Sequence, residues 1–280
     1  MEISVIFVVL GAAFLHALWN FQVRGTEDKA LGMAAVVFGH LPLAITGLAY
    51  AGLPPAAAWP YLIASAVLHL GYQVFLLNAY RFGELTQIYP VARGASPLLI
   101  TLFTMITVPG ILQAMDLLGI VLVSGAIMAY GIVQYRSNSV AFNGIVLAFV
   151  TGFFIASYSI VDAVGARITQ SAISFYGVST TANALFFAVY LFRFHPNVMG
   201  RIHRDAPRTF FIGGNASYFA YVAALWACLS TPVAVVSSLR ETSVLFAVGL
   251  GVIFLREKMT PLKTTITFTI FCGVIILHMA

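Results

Sequence analysis

The chain has 280 residues, of which 61% are hydrophobic and 8% charged, with a formal net charge of +5 and a mean hydropathy of +0.97. Charged residues make up about a quarter of an ordinary soluble domain, so that class is excluded. The excess of basic residues sits in short connections between apolar runs, where it reports orientation in a bilayer and not affinity for nucleic acid.

Ten apolar runs, each near the ~20 residues that span a bilayer, fill almost the whole sequence. They lie at about 3–22, 31–51, 60–80, 85–108, 115–134, 141–161, 172–192, 208–229, 232–255 and 261–279. The runs are continuous and do not alternate, which predicts a polytopic all-α membrane protein and not a barrel. The first run has no basic leader segment before it and is read as a crossing, not as a cleaved signal. It closes on His16-Ala17-Leu18-Trp19-Asn20, and the spacing puts His16, Trp19 and Asn20 on one helix face. In the third run His69, Tyr72 and Gln73 repeat that spacing, with Asn78 further along.

The fourth run holds Tyr89-Pro90-Val91-Ala92-Arg93-Gly94-Ala95-Ser96-Pro97-Leu98-Leu99. A cation at that depth costs at least about 2.5 kcal/mol, so Arg93 should face protein or water and have a partner. Tyr89, four residues earlier, lies on its side of the helix. Past the seam at 135–140, the sixth run brings Tyr158 and, four residues on, Asp162; the seventh has Asn183 and the eighth Asn215, Tyr218, Tyr221 and Trp226. The ninth repeats the device of the fourth as Val236-Ser237-Ser238-Leu239-Arg240-Glu241-Thr242-Ser243-Val244-Leu245. Setting Arg93 on Arg240 also sets Ser96 on Ser243 and Leu98 on Leu245. Neighbours on a helix point about 100° apart, so Glu241 is expected to meet another helix, with Arg93 as its candidate partner. Pro90 and Gly94 beside Arg93 are read as local flexibility, and the remaining glycines, Gly11 and Gly125 among them, as close packing.

Five runs on each side of the seam predict two halves, 1–135 and 140–280. An odd number of crossings per half makes the second half an inverted repeat of the first. Arg93 and Arg240, about eight residues or ~12 Å into oppositely directed helices, then flank the midplane of a ~30 Å core. Connections after odd-numbered runs carry eleven basic residues (Arg24, Lys29, Arg81, Arg136, Arg193, Arg201, Arg204, Arg208, Arg256, Lys258 and Lys263), those after even-numbered runs Arg167 alone. That asymmetry predicts odd connections in the cytoplasm and both termini outside.

These features resemble the drug/metabolite transporter superfamily, specifically EamA-like ten-helix permeases. The resemblance rests on the paired halves, the His16–Asn20 and Tyr89–Leu99 stretches, Thr151-Gly152 with Tyr158-Ser159-Ile160-Val161-Asp162, and Phe254-Leu255-Arg256-Glu257-Lys258 before a Pro-started helix. It implies an alternating-access carrier of small metabolites in a bacterial-type inner membrane. It also implies cytoplasmic termini, against which the charge count is preferred here. The expected site is His16, Trp19, Asn20, Tyr72, Gln73, Tyr89, Arg93, Tyr158, Asp162, Arg240 and Glu241, with Arg93 foremost and Arg240 second in drawing an anionic group, and the aromatics walling an amphiphilic one.

Export of amino acids or related anionic compounds is the preferred reading. The partners are then a metabolite substrate, a proton as candidate coupling ion and the lipid bilayer, with the chain a monomer or homodimer. A multidrug exporter of lipophilic cations, using Glu241 or Asp162, is the alternative. An integral-membrane enzyme is the remote third: the histidines are scattered without HExxH spacing, and Asp116 and Glu84 sit at helix ends. No phosphate-binding loop, metal cluster or cofactor motif is present, and Cys228 and Cys272 read as small buried apolar side chains.

Overall fold

The computed structural model describes every residue except 1, 25, 27, 83–84, 138–141, 257–258 and 280, and at 24, 85–87, 134–137 and 255 the backbone alone. Much of the expected seam, together with Glu84, Glu257, Lys258 and the side chains of Arg24 and Arg136, lies outside the described residues. Among the described residues there are only helices and their connections. Nine helical stretches are long and apolar enough to cross a membrane.

The first crossing is α1 (Ile3–Arg24). The second is broken into α2 (Lys29–Gly39) and α3 (Leu41–Ala51). Asp28 starts α2 by accepting the backbone N–H groups of Ala30 and Leu31, each at 3.1 Å. Pro42 follows the break at His40, where its missing N–H and its ring interrupt the ladder. Gly52, at φ +75°, ends α3 in the left-handed conformation that glycine adopts without a steric penalty. Then come α4 (Trp59–Ala79), α5 (Leu85–Thr107) and α6 (Ala114–Ser137). Pro90 and Pro97 lie inside α5, which runs on through both.

The second half begins with α7 (Phe142–Thr169) and α8 (Ala172–Phe194). A loop containing the one-turn helix α9 (Ile202–Asp205) follows. The eighth crossing is a five-residue π turn, Thr209–Gly213, running directly into the 14-residue α10 (Gly214–Ala227). The ninth is again broken, into α11 (Val233–Arg240) and α12 (Ser243–Leu255), and α13 (Pro261–Met279) is the tenth.

Large apolar side chains such as Phe7, Phe153, Phe192 and Phe268 point outward, each more than half exposed, as lipid-facing positions do. The inward faces are built from small residues. Gly39 and Gly214 cross with their backbones in contact, and a Cβ on Gly214 would lie 2.6 Å from the Gly39 Cα. A Cβ on Gly94 would meet the Met128 backbone nitrogen at 2.9 Å and the Ser124 carbonyl at 3.0 Å. Gly94 is therefore a packing position of α5 against α6, not the flexible joint expected from the sequence. Gly11 and Gly125, expected to pack closely, instead face open space.

Three pairings recur when each crossing is exchanged for the one five later: α4 on α7 as α10 on α1, α5 on α7 as α11 and α12 on α1, and α4 on α8 as α10 on α2. On the side of the odd connections, Arg201 ties the halves together, its Nη1 2.9 Å from Asp28 Oδ2.

Candidate functional site

The faces named from sequence spacing converge on one cavity of about 100 Å³ between α1, α2, α4, α5, α7, α8, α10 and α11. Nine of the eleven expected site residues line it: His16, Trp19, Asn20, Tyr72, Gln73, Tyr89, Arg93, Tyr158 and Arg240. Asp162 and Glu241 stand behind the wall, each against a lining residue. The cavity reaches from the arginines to Lys29 and Tyr80, near the ends of α2 and α4 where odd-numbered connections begin. On the opposite side Arg167 closes the end of α10. Its Nε donates to the Cys228 carbonyl at 2.7 Å and its Nη2 to the Thr231 carbonyl at 2.9 Å.

The two arginines differ in their surroundings. Arg93, 6% exposed, is gripped by Glu241, 2% exposed. Nη2 lies 2.6 Å from Oε1, and Nε donates to Oε2 at 3.2 Å. This two-point contact matches the planar fork of the guanidinium to the carboxylate. It is made because the break after Arg240 turns Glu241 toward α5, the partner that the 100° step between neighbours anticipated. Among the described residues no carboxylate grips Arg240 in this way. Its guanidinium carbon lies 5.3 Å above the Tyr221 ring, a cation–π arrangement, and its Nε has no hydrogen-bond partner among the described residues. The cavity therefore holds one matched and one unmatched guanidinium.

Around them the aromatic side chains are fixed by hydrogen bonds. Trp19 Nε1 donates to His16 Nδ1 at 3.2 Å. This leaves His16 Nε2 to carry the hydrogen and donate to the Tyr89 hydroxyl at 3.1 Å. Asn20 turns back to the His16 carbonyl at 2.8 Å. Gln73 and Asn183 exchange amide hydrogen bonds at 2.8 and 3.3 Å, joining α4 to α8 across the halves. His69 stacks on Tyr158 with ring centroids 4.0 Å apart, and Tyr72 packs edge-on to Tyr158.

Sequence spacing missed His40, Tyr176 and Thr180, which also line the cavity. His40 meets Thr180 Oγ1 at 3.1 Å through Nδ1, while its Nε2 is unpartnered among the described residues. Its signal was present, since a polar residue two before a proline inside an apolar run marks a break whose side chain turns inward.

Residues 142–279 match the EamA-like transporter family. Comparison with curated proteins finds no match. A solved structure described only as the crystal structure of a protein superposes with a TM-score of 0.78 at 17% identity, covering 100% of this chain and 98% of that one. At that identity the likeness shows the fold. Residues 142–279, on a fold shared along the whole length of the chain, belong to the EamA-like transporter family, within the drug/metabolite transporter superfamily.

Proposed function

We propose that the protein is a secondary carrier of small amphiphilic carboxylates, amino acids among them, exporting them by alternating access between halves 1–135 and 140–280. The observation that carries this reading is the unmatched Arg240 guanidinium in an aromatic-walled cavity between the two halves. A cation without a carboxylate in such a place attracts an anionic group, and the surrounding rings suit an apolar body. Arg93, already balanced by Glu241, organises the site in this scheme, and Arg240 holds the substrate. The exchange-related helix pairings support an inverted repeat, which lets one half rock against the other. The loop charges support an orientation with both termini outside a bacterial-type inner membrane. Reporter fusions at Gly200 giving an external signal would overturn that orientation.

The test is a thermal-stability screen of purified protein with benzoate, L-leucine and L-phenylalanine, because a ligand at a hundred times its Kd stabilises by about 2.7 kcal/mol. Stabilisation is expected in the wild type and lost in Arg240→Gln. Equal stabilisation of Arg240→Gln refutes the assignment. Stabilisation by tetraphenylphosphonium alone, abolished by Asp162→Asn or Glu241→Gln, would favour the cation-exporter alternative.

A further inference from the structure

Asp162 on α7 is completely buried and lies behind the cavity wall. The Tyr221 hydroxyl donates to its Oδ2 at 2.5 Å, and Oδ1 has no hydrogen-bond partner among the described residues. His69 on α4 approaches the same Oδ2, with Nε2 at 3.9 Å. The other ring nitrogen, Nδ1, lies 3.0 Å from the Ser65 carbonyl oxygen. A carbonyl only accepts, so Nδ1 carries the hydrogen and a neutral His69 turns its lone pair toward Asp162. An ionised carboxylate and an imidazole lone pair facing each other away from water repel, and one added proton turns that repulsion into attraction.

We propose that Asp162 and His69 together form a proton-binding site, and that Tyr221 links its occupancy to the carboxylate seat at Arg240, so that proton and carboxylate move together and export, running down the substrate's own gradient, carries a proton out with it. This coupling rests on the carrier reading above. Tyr221 is the physical link: its hydroxyl holds Asp162 and its ring lies under Arg240. Without the proton, the Asp162 charge offsets that of Arg240 across a single ring. With it, that offset is removed and Arg240 draws an anion more strongly.

The groups around the pair come from every packed element. Ser65 on α4 is bonded to Ser179 on α8, and Tyr158 on α7 is stacked on His69. Tyr176 on α8, Cys228 beyond α10 and Arg240 on α11 face the cluster, with His40 the next histidine. Asp162 is the carboxylate of this cluster, while Glu241 is engaged with Arg93.

The proton site is tested without substrate, by infrared difference spectra of purified protein between about pH 5 and about pH 9, the range in which perturbed carboxyl and imidazole groups titrate. A protonated-carboxyl carbonyl band should appear as the pH falls and be absent from Asp162→Asn. In Tyr221→Phe, which removes a donor to the ionised form, the band should persist to higher pH. His69→Gln, which keeps the side chain's bulk, should also displace its midpoint. A wild-type spectrum without such a band, or a band that survives in Asp162→Asn, overturns the site. Benzoate then tests the link. Its affinity should rise toward low pH, by at most about tenfold per pH unit for one proton taken up, and be flat in Asp162→Asn. Benzoate binding that is pH-independent in the wild type overturns the coupling. An intact titrating band with no benzoate binding at any pH counts against the carboxylate seat at Arg240 and leaves the proton site standing.

Discussion

Glu241→Gln is the most informative single change outside the cavity wall. It removes one partner of an ion pair whose side chains are 7% and 2% exposed and whose closest atoms are 2.6 Å apart. Leaving a buried charge uncompensated costs about 3–5 kcal/mol, more than the pair itself contributes relative to an apolar replacement. At about 2–4 °C per kcal/mol for chains near this size, the apparent melting temperature should fall by about 6–20 °C. Arg93→Gln should fall by a similar amount, since it strands Glu241 in the same way. Arg93→Met combined with Glu241→Leu removes both charges, and should recover to within about 2 kcal/mol of the wild type. The assay is loss of the monodisperse chromatographic peak on heating in one detergent, at one heating rate, for all four proteins. Single variants within about 1 kcal/mol of the wild type, or a double variant as impaired as the two singles summed, would refute the buried-pair reasoning.

Two further predictions concern packing and the loop. Gly152→Ala would bring a Cβ to 2.8 Å from the Ala92 carbonyl on α5; overpacking against backbone costs about 1–3 kcal/mol, so its melting temperature should drop while Gly125→Ala, in open space, stays within about 1 kcal/mol of the wild type. In the loop before the eighth crossing, hydrogen bonds from Arg204 and Arg201 pull the Asp205 carboxyl down to about 2. A carboxylate held low contributes fully above its ordinary range and is lost as pH falls through the lowered value. Hydrogen-exchange protection at 199–206, taken relative to the intrinsic rate at each pH, should therefore be unchanged from neutral pH to about pH 4 and fall only toward pH 2. Protection already lost at about pH 4 would refute the clamp.

The helices were legible because a bilayer demands long apolar runs, and most boundaries fall within a few residues of the hydropathy breaks. The sixth crossing is the exception. It was expected to stop at 161, yet α7 continues to Thr169. Arg167 reads as part of the following connection, but it finds partners inside the protein, in the carbonyls of Cys228 and Thr231. A polar residue ends a crossing only where it must reach water, and sequence hydropathy does not record where it finds a bond. Hydropathy also passes over the break at His40, whose local sign is the proline two residues on. The Arg93–Glu241 contact was legible because an intramembrane cation needs a counter-charge and few acids were available. The different fates of Arg93 and Arg240 were not, since the repeat makes them look equivalent and only the three-dimensional arrangement assigns the single carboxylate to one of them.

The interruption between α11 and α12 has a mechanical consequence. Its exposed peptide groups are met locally: Glu241 and Thr242 backbone nitrogens donate to the Ser238 and Leu239 carbonyls at 3.1 Å, and Thr242 Oγ1 donates to the Leu239 carbonyl at 2.7 Å. The Val244 and Leu245 amides reach back across the knuckle to the Glu241 and Thr242 carbonyls at 3.0 and 2.9 Å, so the bend strands no amide in hydrocarbon and the angle of α12 is set from Glu241, anchored on α5, as its fulcrum.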